Sequence, residues 1–307
     1  MMPRRVLAAL SAAFALVLLV SAPVAAQAPA PAARVDRDVV YGMYSGLALL
    51  MDVHRPAAPN GTAIVAITGI GFHAGGGYGA APMKEIEPQL NVFVKPLVAA
   101  GYTVFVINHR AAPAFRYPAA IEDAERAVRF VRHYATRFGI APNRIGAVGA
   151  SSGGYLASML GVRSGPGAPD DDDAVNREPA RVQAVVAYCP PEDLTGAFND
   201  FGVSAIAAFM GILRPSDPAS AEFKMYRQAS PIASVSADDA PILLIHGDQD
   251  QLVPIAHSEK MEAALREANV PVKLIRVTGS GHLISQKPEY PDFTTEMIRW
   301  FDVHLRK

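Results

Sequence analysis

Only one cysteine, Cys189, occurs in the 307 residues, so no disulfide can form within the chain. Its apolar neighbours in "VVAYCPP" predict a buried, inert thiol rather than a reactive one. A chain without a cross-link depends on its core, and 50% of the residues are hydrophobic, enough for a sizeable one. Charge is also scarce. Asp, Glu, Lys and Arg make up 19% of the residues and nearly cancel, giving a formal net charge of -1. That balance argues against nucleic acid or an anionic membrane surface as a partner. Internal repeats and interdomain linkers are absent too, so one domain is expected.

The one long apolar run stands at the start. In "MMPRRVLAALSAAFALVLLVSAPVAAQAPAPAAR", Arg4 and Arg5 precede an apolar stretch from Val6 to Val20, and small residues follow to Ala26. This order predicts a secretory signal peptide over 1–26, cleaved after Ala26. The product would be secreted or periplasmic and free of the membrane. A retained anchor is the alternative, but the run is short for a span. Residues 27–38 read as a flexible Ala/Pro leader and 39–307 as the folded domain.

Within that domain, short Val- and Ile-rich runs alternate with amphipathic stretches. The runs are Thr62 to Thr68, Thr103 to His109, Arg144 to Ala150, Val182 to Tyr188, Pro241 to Gly247 and Val272 to Thr278. They suit strands buried on both faces. Helical patterns cover 93–101, 118–139, 152–164, 256–269 and 292–307. The alternation predicts an α/β fold with a mainly parallel sheet and helices on both faces. Two stretches interrupt it. The aspartates Asp170 to Asp173 lack the spaced ligands of a calcium loop and read as a solvated loop. The longer one, Pro190 to Asp239, carries Phe198, Phe201, Phe209, Met210, Ile212 and Leu213. It suits either a lid-like pocket wall or ordinary helix packing.

The stretch "GASSGG" (149–154) follows a strand and opens a helix. Gly149-Ala150-Ser151-Ser152-Gly153 fits G-x-S-x-G, the tight strand-to-helix turn that exposes a nucleophilic serine. The frame selects Ser151. It leaves Ser152 to offer its backbone N–H to a developing oxyanion. A phosphate cradle is the competing reading, but no G-K-[ST] follows. A serine hydroxyl needs a histidine base oriented by a carboxylate, and on such a fold the chain order is Ser, acid, His. "LLIHGDQDQLVP" supplies Asp248 and Asp250 just past a strand. Of the eight histidines, that order leaves His257, His282 and His304, and only His282 sits in a Gly-rich loop after a strand.

These blocks carry a resemblance. The run 107–161, with "INHRAAPAFRYPAAIEDAERAVRF" and "APNRIGAVGASSGGYLASMLG", resembles hormone-sensitive-lipase-like and bifunctional feruloyl and acetyl xylan esterase-like α/β-hydrolases. "ASPIASVSADDAPILLIHGDQDQLVP" and "GSGHLI" resemble their later blocks, in order, and the likeness runs from about Val39 onward. It implies carboxylic-ester hydrolysis without a metal or organic cofactor, a small-molecule or carbohydrate ester as substrate, and a triad of Ser151, Asp250 and His282. Such enzymes carry H-G-G-G-W or H-G-G-x-W after the first core strand, where this chain has Thr68-Gly69-Ile70-Gly71-Phe72. Ile70 and Gly71 would then supply oxyanion N–H groups with Ser152. A positive φ at Ile70 would strain that β-branched residue. The neighbouring "FHAGGGYG" (72–79) offers a second register, in which His73 reads as a loop residue or a substrate contact. Two further readings stay open: a prolyl-oligopeptidase-type peptidase, whose acid loop "HGDQDQLVP" resembles, and a catalytically silent binding protein.

Overall fold

A strand with no polar side chain on either face is stable only when both faces are covered. The strands β3 (Ala63–Ile67), β4 (Thr103–Ile107) and β6 (Ala184–Tyr188) are buried at every residue. The computed structural model describes residues 32–306 apart from 76–79, 164 and 283–284. The described residues lie within one compact unit, Pro31–Lys307. The expected signal peptide and residues 27–31 of the expected leader fall outside the described residues.

The six predicted runs form β3 to β8, with β5 at Ile145–Ala150, β7 at Ile242–Gly247 and β8 at Val272–Val277. Two further strands precede them, β1 (Arg34–Tyr44) and β2 (Leu47–Arg55). The order in the eight-stranded sheet is β1-β2-β4-β3-β5-β6-β7-β8, with β1, β2 and β4 antiparallel and the rest parallel. The leader boundary is thereby corrected, because Arg34 to Asp38 belong to β1. Arg34 pairs with Arg55 and Asp36 with Val53 in the ladder. Arg55 Nε donates to Asp36 at 2.6 Å, and the Asp38 N–H donates to Asp52 at 2.9 Å.

Period-two alternation divides the side chains between two cores. Val65, Phe105 and Ala147 point into one, Ile64, Val104 and Val148 into the other. Helices α2 (Ala119–His133), α3 (Ser152–Val162) and α6 (Ala256–Glu267) cover the first face. Helices α1 (Lys95–Ala99) and α7 (Phe293–Leu305) cover the second. α3 is buried along its whole length, as befits a helix with no charged residue on any side. No helix among the described residues is long and apolar enough to cross a membrane.

Pro190 to Asp239 holds α4 (Asp200–Met210) and α5 (Ala221–Gln228). In α4, packing and cavity lining fall to different residues. Phe209 is buried and stacks on Phe72 at 4.0 Å, which anchors the helix, while Phe201 and Ile206 line a cavity.

Beneath the stretch, Ser158 of α3 donates to Glu192 at 2.7 Å, and Glu192 has no exposed surface. Burial pushes its carboxyl up to about 8, with the serine hydroxyl opposing the rise. At low pH the folded and unfolded chains both hold the proton. Between about 4.5 and about 8 the unfolded chain ionises while the folded one keeps its proton, so stability is lost as pH rises through that window. Glu192→Gln keeps the acceptor for Ser158 and cannot ionise. Its melting temperature relative to wild type is expected to rise between about pH 5 and about pH 8.5. Thermal melts at the two pH values check this, and an equal difference at both would count against it.

Candidate active site

In the ladder Ile67 pairs with Gly149, Ala150 with Tyr188, Tyr188 with Ile245 and Gly247 with Val277. The carboxyl ends of these parallel strands are therefore level, and the loops that follow them meet at one edge of the sheet. Ser151 follows β5, Asp250 follows β7 and His282 follows β8.

Ser151 has φ 53° and ψ −122°, a conformation that costs a non-glycine residue on the order of 1–3 kcal/mol and persists only when its surroundings impose it. They do so here. Its N–H donates to the Tyr188 carbonyl at 2.7 Å, and its own carbonyl accepts from the Tyr155 N–H at 2.9 Å. Glycines let strand and helix close in around it, since a Cβ on Gly153 would lie 2.0 Å from the Ile67 carbonyl oxygen.

The Ser151 hydroxyl is 2.8 Å from His282 Nε2, and His282 Nδ1 is 2.7 Å from Asp250 Oδ2. With Asp250 ionised, Nδ1 carries the proton and Nε2 is free to accept from the serine. Burial by itself raises the Asp250 carboxyl. Hydrogen bonds from His246 and His282 and from the Val253 N–H outweigh burial and hold it well below the usual carboxylate range. The carboxylate is held on every side: Oδ1 accepts from the Leu252 and Val253 N–H groups at 2.9 Å each. Asp248 serves the loop instead, accepting from the Gly279 N–H at 2.8 Å and tying the His282 segment to β7.

Two cavities flank the serine and histidine. One, of about 300 Å³, is lined by Ile70, Phe72, Phe198, Phe201, Ile206 and Leu252 among others. The second, of about 400 Å³, is lined by Ile86, Gln89, Val92, Phe93 and Tyr188 among others. No Asp, Glu, Lys or Arg lines either among the described residues. Gly69 and Ile70 border both cavities, and Gly71 and Ser152 border the first. Ile70 escapes the strain that a positive φ would bring it, because the positive φ values fall on Gly71 (70°) and Phe72 (65°). These two are the central residues of a turn closed by the His73 N–H on the Ile70 carbonyl at 3.4 Å, with the φ signs of a type I′ turn. Stacking of the buried Phe72 ring on Phe209 keeps the strained residue in place. Of the second register only 72–75 lie within the described residues. There His73 Nδ1 donates to the Gly71 carbonyl at 2.6 Å.

Residues 51–265 match the family described as BD-FAE. The chain belongs to the BD-FAE family. Esterase LipQ of Mycobacterium tuberculosis is 30% identical over 240 residues, covering 75% of this chain and 52% of its own length. The chain thus spans about half the length of the curated relatives it matches. A truncated carbohydrate esterase from gut microbiota is 27% identical in structure-based comparison, with a TM-score of 0.74, covering 91% of this chain and 99% of that one. An acetyl ester-xyloside bifunctional hydrolase from Caldicellulosiruptor lactoaceticus is also 27% identical, with a TM-score of 0.69 and coverage of 83% and 88%. The fold is the α/β-hydrolase fold.

In this BD-FAE chain the threonine at the place of the leading histidine has its own task. Thr68 Oγ1 donates to the Met83 carbonyl at 2.6 Å, inside the protein. His246 went unnoticed in the sequence because it precedes both loop acids. It is fully buried with Nε2 at 3.3 Å from Asp250 Oδ2 and 2.8 Å from the Val253 carbonyl. The Val253 carbonyl can only accept, so Nε2 carries a proton, which also faces the carboxylate, and Nδ1 is left to pair with the Ser258 hydroxyl at 2.7 Å. The His-Gly-Asp-Gln-Asp spacing at a strand end was the available signal. His257, the second histidine that chain order left open, is buried and lies away from Ser151. It bridges the Asp193 N–H and the Ala197 carbonyl and packs on Phe198. Cys189 is buried as expected, with its thiol pushed up by burial and by neighbouring Asp250. Its sulfur and ligand atoms of Asp250 and His282 all lie within 4.8 Å of one another.

Proposed function

We propose that this chain is an exported serine carboxylic-ester hydrolase that works through an acyl-enzyme. The observation that carries the reading is the continuous hydrogen-bond path from Ser151 through His282 to the buried Asp250, opening between two uncharged cavities. Ser151 Oγ attacks the ester carbonyl as its proton passes to His282 Nε2, and Asp250 stabilises the resulting imidazolium. The tetrahedral oxyanion is received by the N–H groups of Ile70, Gly71 and Ser152. Collapse breaks the bond to the alcohol, which leaves with the proton from His282. Water then attacks the acyl-enzyme, giving its proton to the same nitrogen, and the acid departs as Ser151 regains its hydrogen. The apolar linings favour an uncharged ester with a modest acyl group in the 300 Å³ cavity. Export follows from the segment 1–26, which has the order of a secretory signal.

A fluorophosphonate probe tests the reading directly. Mass spectrometry is expected to find one covalent adduct, on Ser151. The protein should hydrolyse p-nitrophenyl acetate or butyrate faster than aminoacyl anilides, with acetylated xylan and ethyl ferulate defining the alcohol and acyl limits. Absence of an adduct would favour the silent binding protein, and preference for the anilide would favour the peptidase.

A further inference from the structure

Gln89 stands apart in sequence from the elbow and from the acid and histidine loops, yet it grips the loop after β3 at two points. Its Oε1 accepts from the Gly69 N–H at 2.8 Å, and its Nε2 donates to the Gly69 carbonyl at 2.8 Å. That carbonyl and the Ile70 N–H belong to one peptide unit, planar and trans, so the C=O and N–H bonds point in opposite directions. Holding the carbonyl toward Gln89 therefore fixes the direction of the Ile70 N–H. Gly69 needs such a restraint. It has no side chain because a Cβ would lie 1.9 Å from the Ala150 carbonyl oxygen, and a glycine left unpaired is free to rotate. The Gln89 N–H donates to the Ile86 carbonyl at 3.0 Å, and the segment leading to it is tied down at Met83 and Lys84. Thr68 bonds the Met83 carbonyl, and the Lys84 N–H donates to Asn108 Oδ1 at 2.8 Å. The Lys84 ammonium is buried against Asp52 at 2.8 Å.

We propose that Gln89 is a positioning residue for ester hydrolysis: its carboxamide locks the Gly69–Ile70 peptide so that the Ile70 N–H is set for the oxyanion before substrate arrives. The proposal rests on the ester-hydrolase reading above. A donor aimed in advance needs no reorganisation in the transition state, and donation into the carbonyl polarises the N–H at the other end of the same unit.

The test starts with the wild-type protein on p-nitrophenyl butyrate. An inactive wild type overturns the hydrolase reading and this proposal with it, whereas the variants address Gln89 alone. Gln89→Met is of similar length and cannot pair with Gly69. It is expected to lower kcat by about 10- to 100-fold with KM within about twofold and an unchanged melting temperature, the loss being confined to the transition state. Gln89→Glu supplies a readout that a structural role would not move. Ionised, it sets a second acceptor against the Gly69 carbonyl; protonated, it regains one donor and one acceptor. Its kcat relative to wild type is expected to rise about tenfold as pH falls from about 8 to about 5.5. If Gln89→Met does not fold, this comparison of one variant across pH decides. A Gln89→Met kcat within about threefold of wild type, or a Gln89→Glu deficit independent of pH, would overturn the proposal.

Discussion

Ser151→Ala is expected to lower kcat/KM for p-nitrophenyl butyrate by about 10⁴-fold or more, equivalent to about 5.5 kcal/mol of lost transition-state stabilisation. The change deletes one oxygen and keeps the Cβ, so the elbow is left with the same backbone hydrogen bonds, from Ser151 N–H to Tyr188 and from Tyr155 N–H to Ser151. His282 keeps its bond to Asp250. The melting temperature should therefore stay within about 2 °C of wild type, a surface-sized effect. Initial rates with a thermal melt on the same preparation check both halves. Substantial remaining hydrolysis by folded Ser151→Ala protein would remove Ser151 from the mechanism.

Gly153→Ala should damage the fold itself. An added methyl would sit 2.0 Å from the Ile67 oxygen, 2.7 Å from the Ile67 carbon and 2.8 Å from the Thr68 carbon. All three are backbone atoms at the end of a central strand. No side chain can rotate away to relieve the overlap, so α3 and β3 must separate. A loss of about 3 kcal/mol or more follows, at the severe end for a single methyl group. Urea unfolding measures it. The same separation draws Thr68 and Gly69 from the elbow, so whatever protein folds should also be slow on esters. A stability within about 0.5 kcal/mol of wild type would show that the approach of helix and strand is less strict than these distances require.

How much of this was legible in advance depends on how local each feature is. The six core strands were readable because short Val- and Ile-rich runs mark them, even in the edge strand β8 with its exposed Lys273 and Arg276, a pattern needing no knowledge of neighbours. β1 and β2 were not, since β1 is largely exposed and charged and is defined by its ladder with β2. The elbow was readable for the opposite reason: its strained turn admits so few residue types that Gly149, Ser151 and Gly153 mark it. The loop after β3 was legible only in part. Ile70 would have been strained by a positive φ, but the turn that His73 closes places positive φ at Gly71 and Phe72 instead. Phe72 tolerates it because its ring is clasped by Phe209, from a stretch far along the chain. Gln89 has no motif at all.

By itself, then, the sequence determined the alternation of strands and helices, the tight strand-to-helix turn at Ser151, and the order along the chain of Ser151, Asp250 and His282, all set by backbone sterics and burial over a few residues. The tertiary structure decided the contacts between them. Ser151 and His282 stand 131 positions apart, and their 2.8 Å bond exists because sheet register brings the strand ends level. His246 behind Asp250, Gln89 beneath Gly69 and Phe209 against Phe72 are likewise products of packing, whose distances depend on every layer of the core at once.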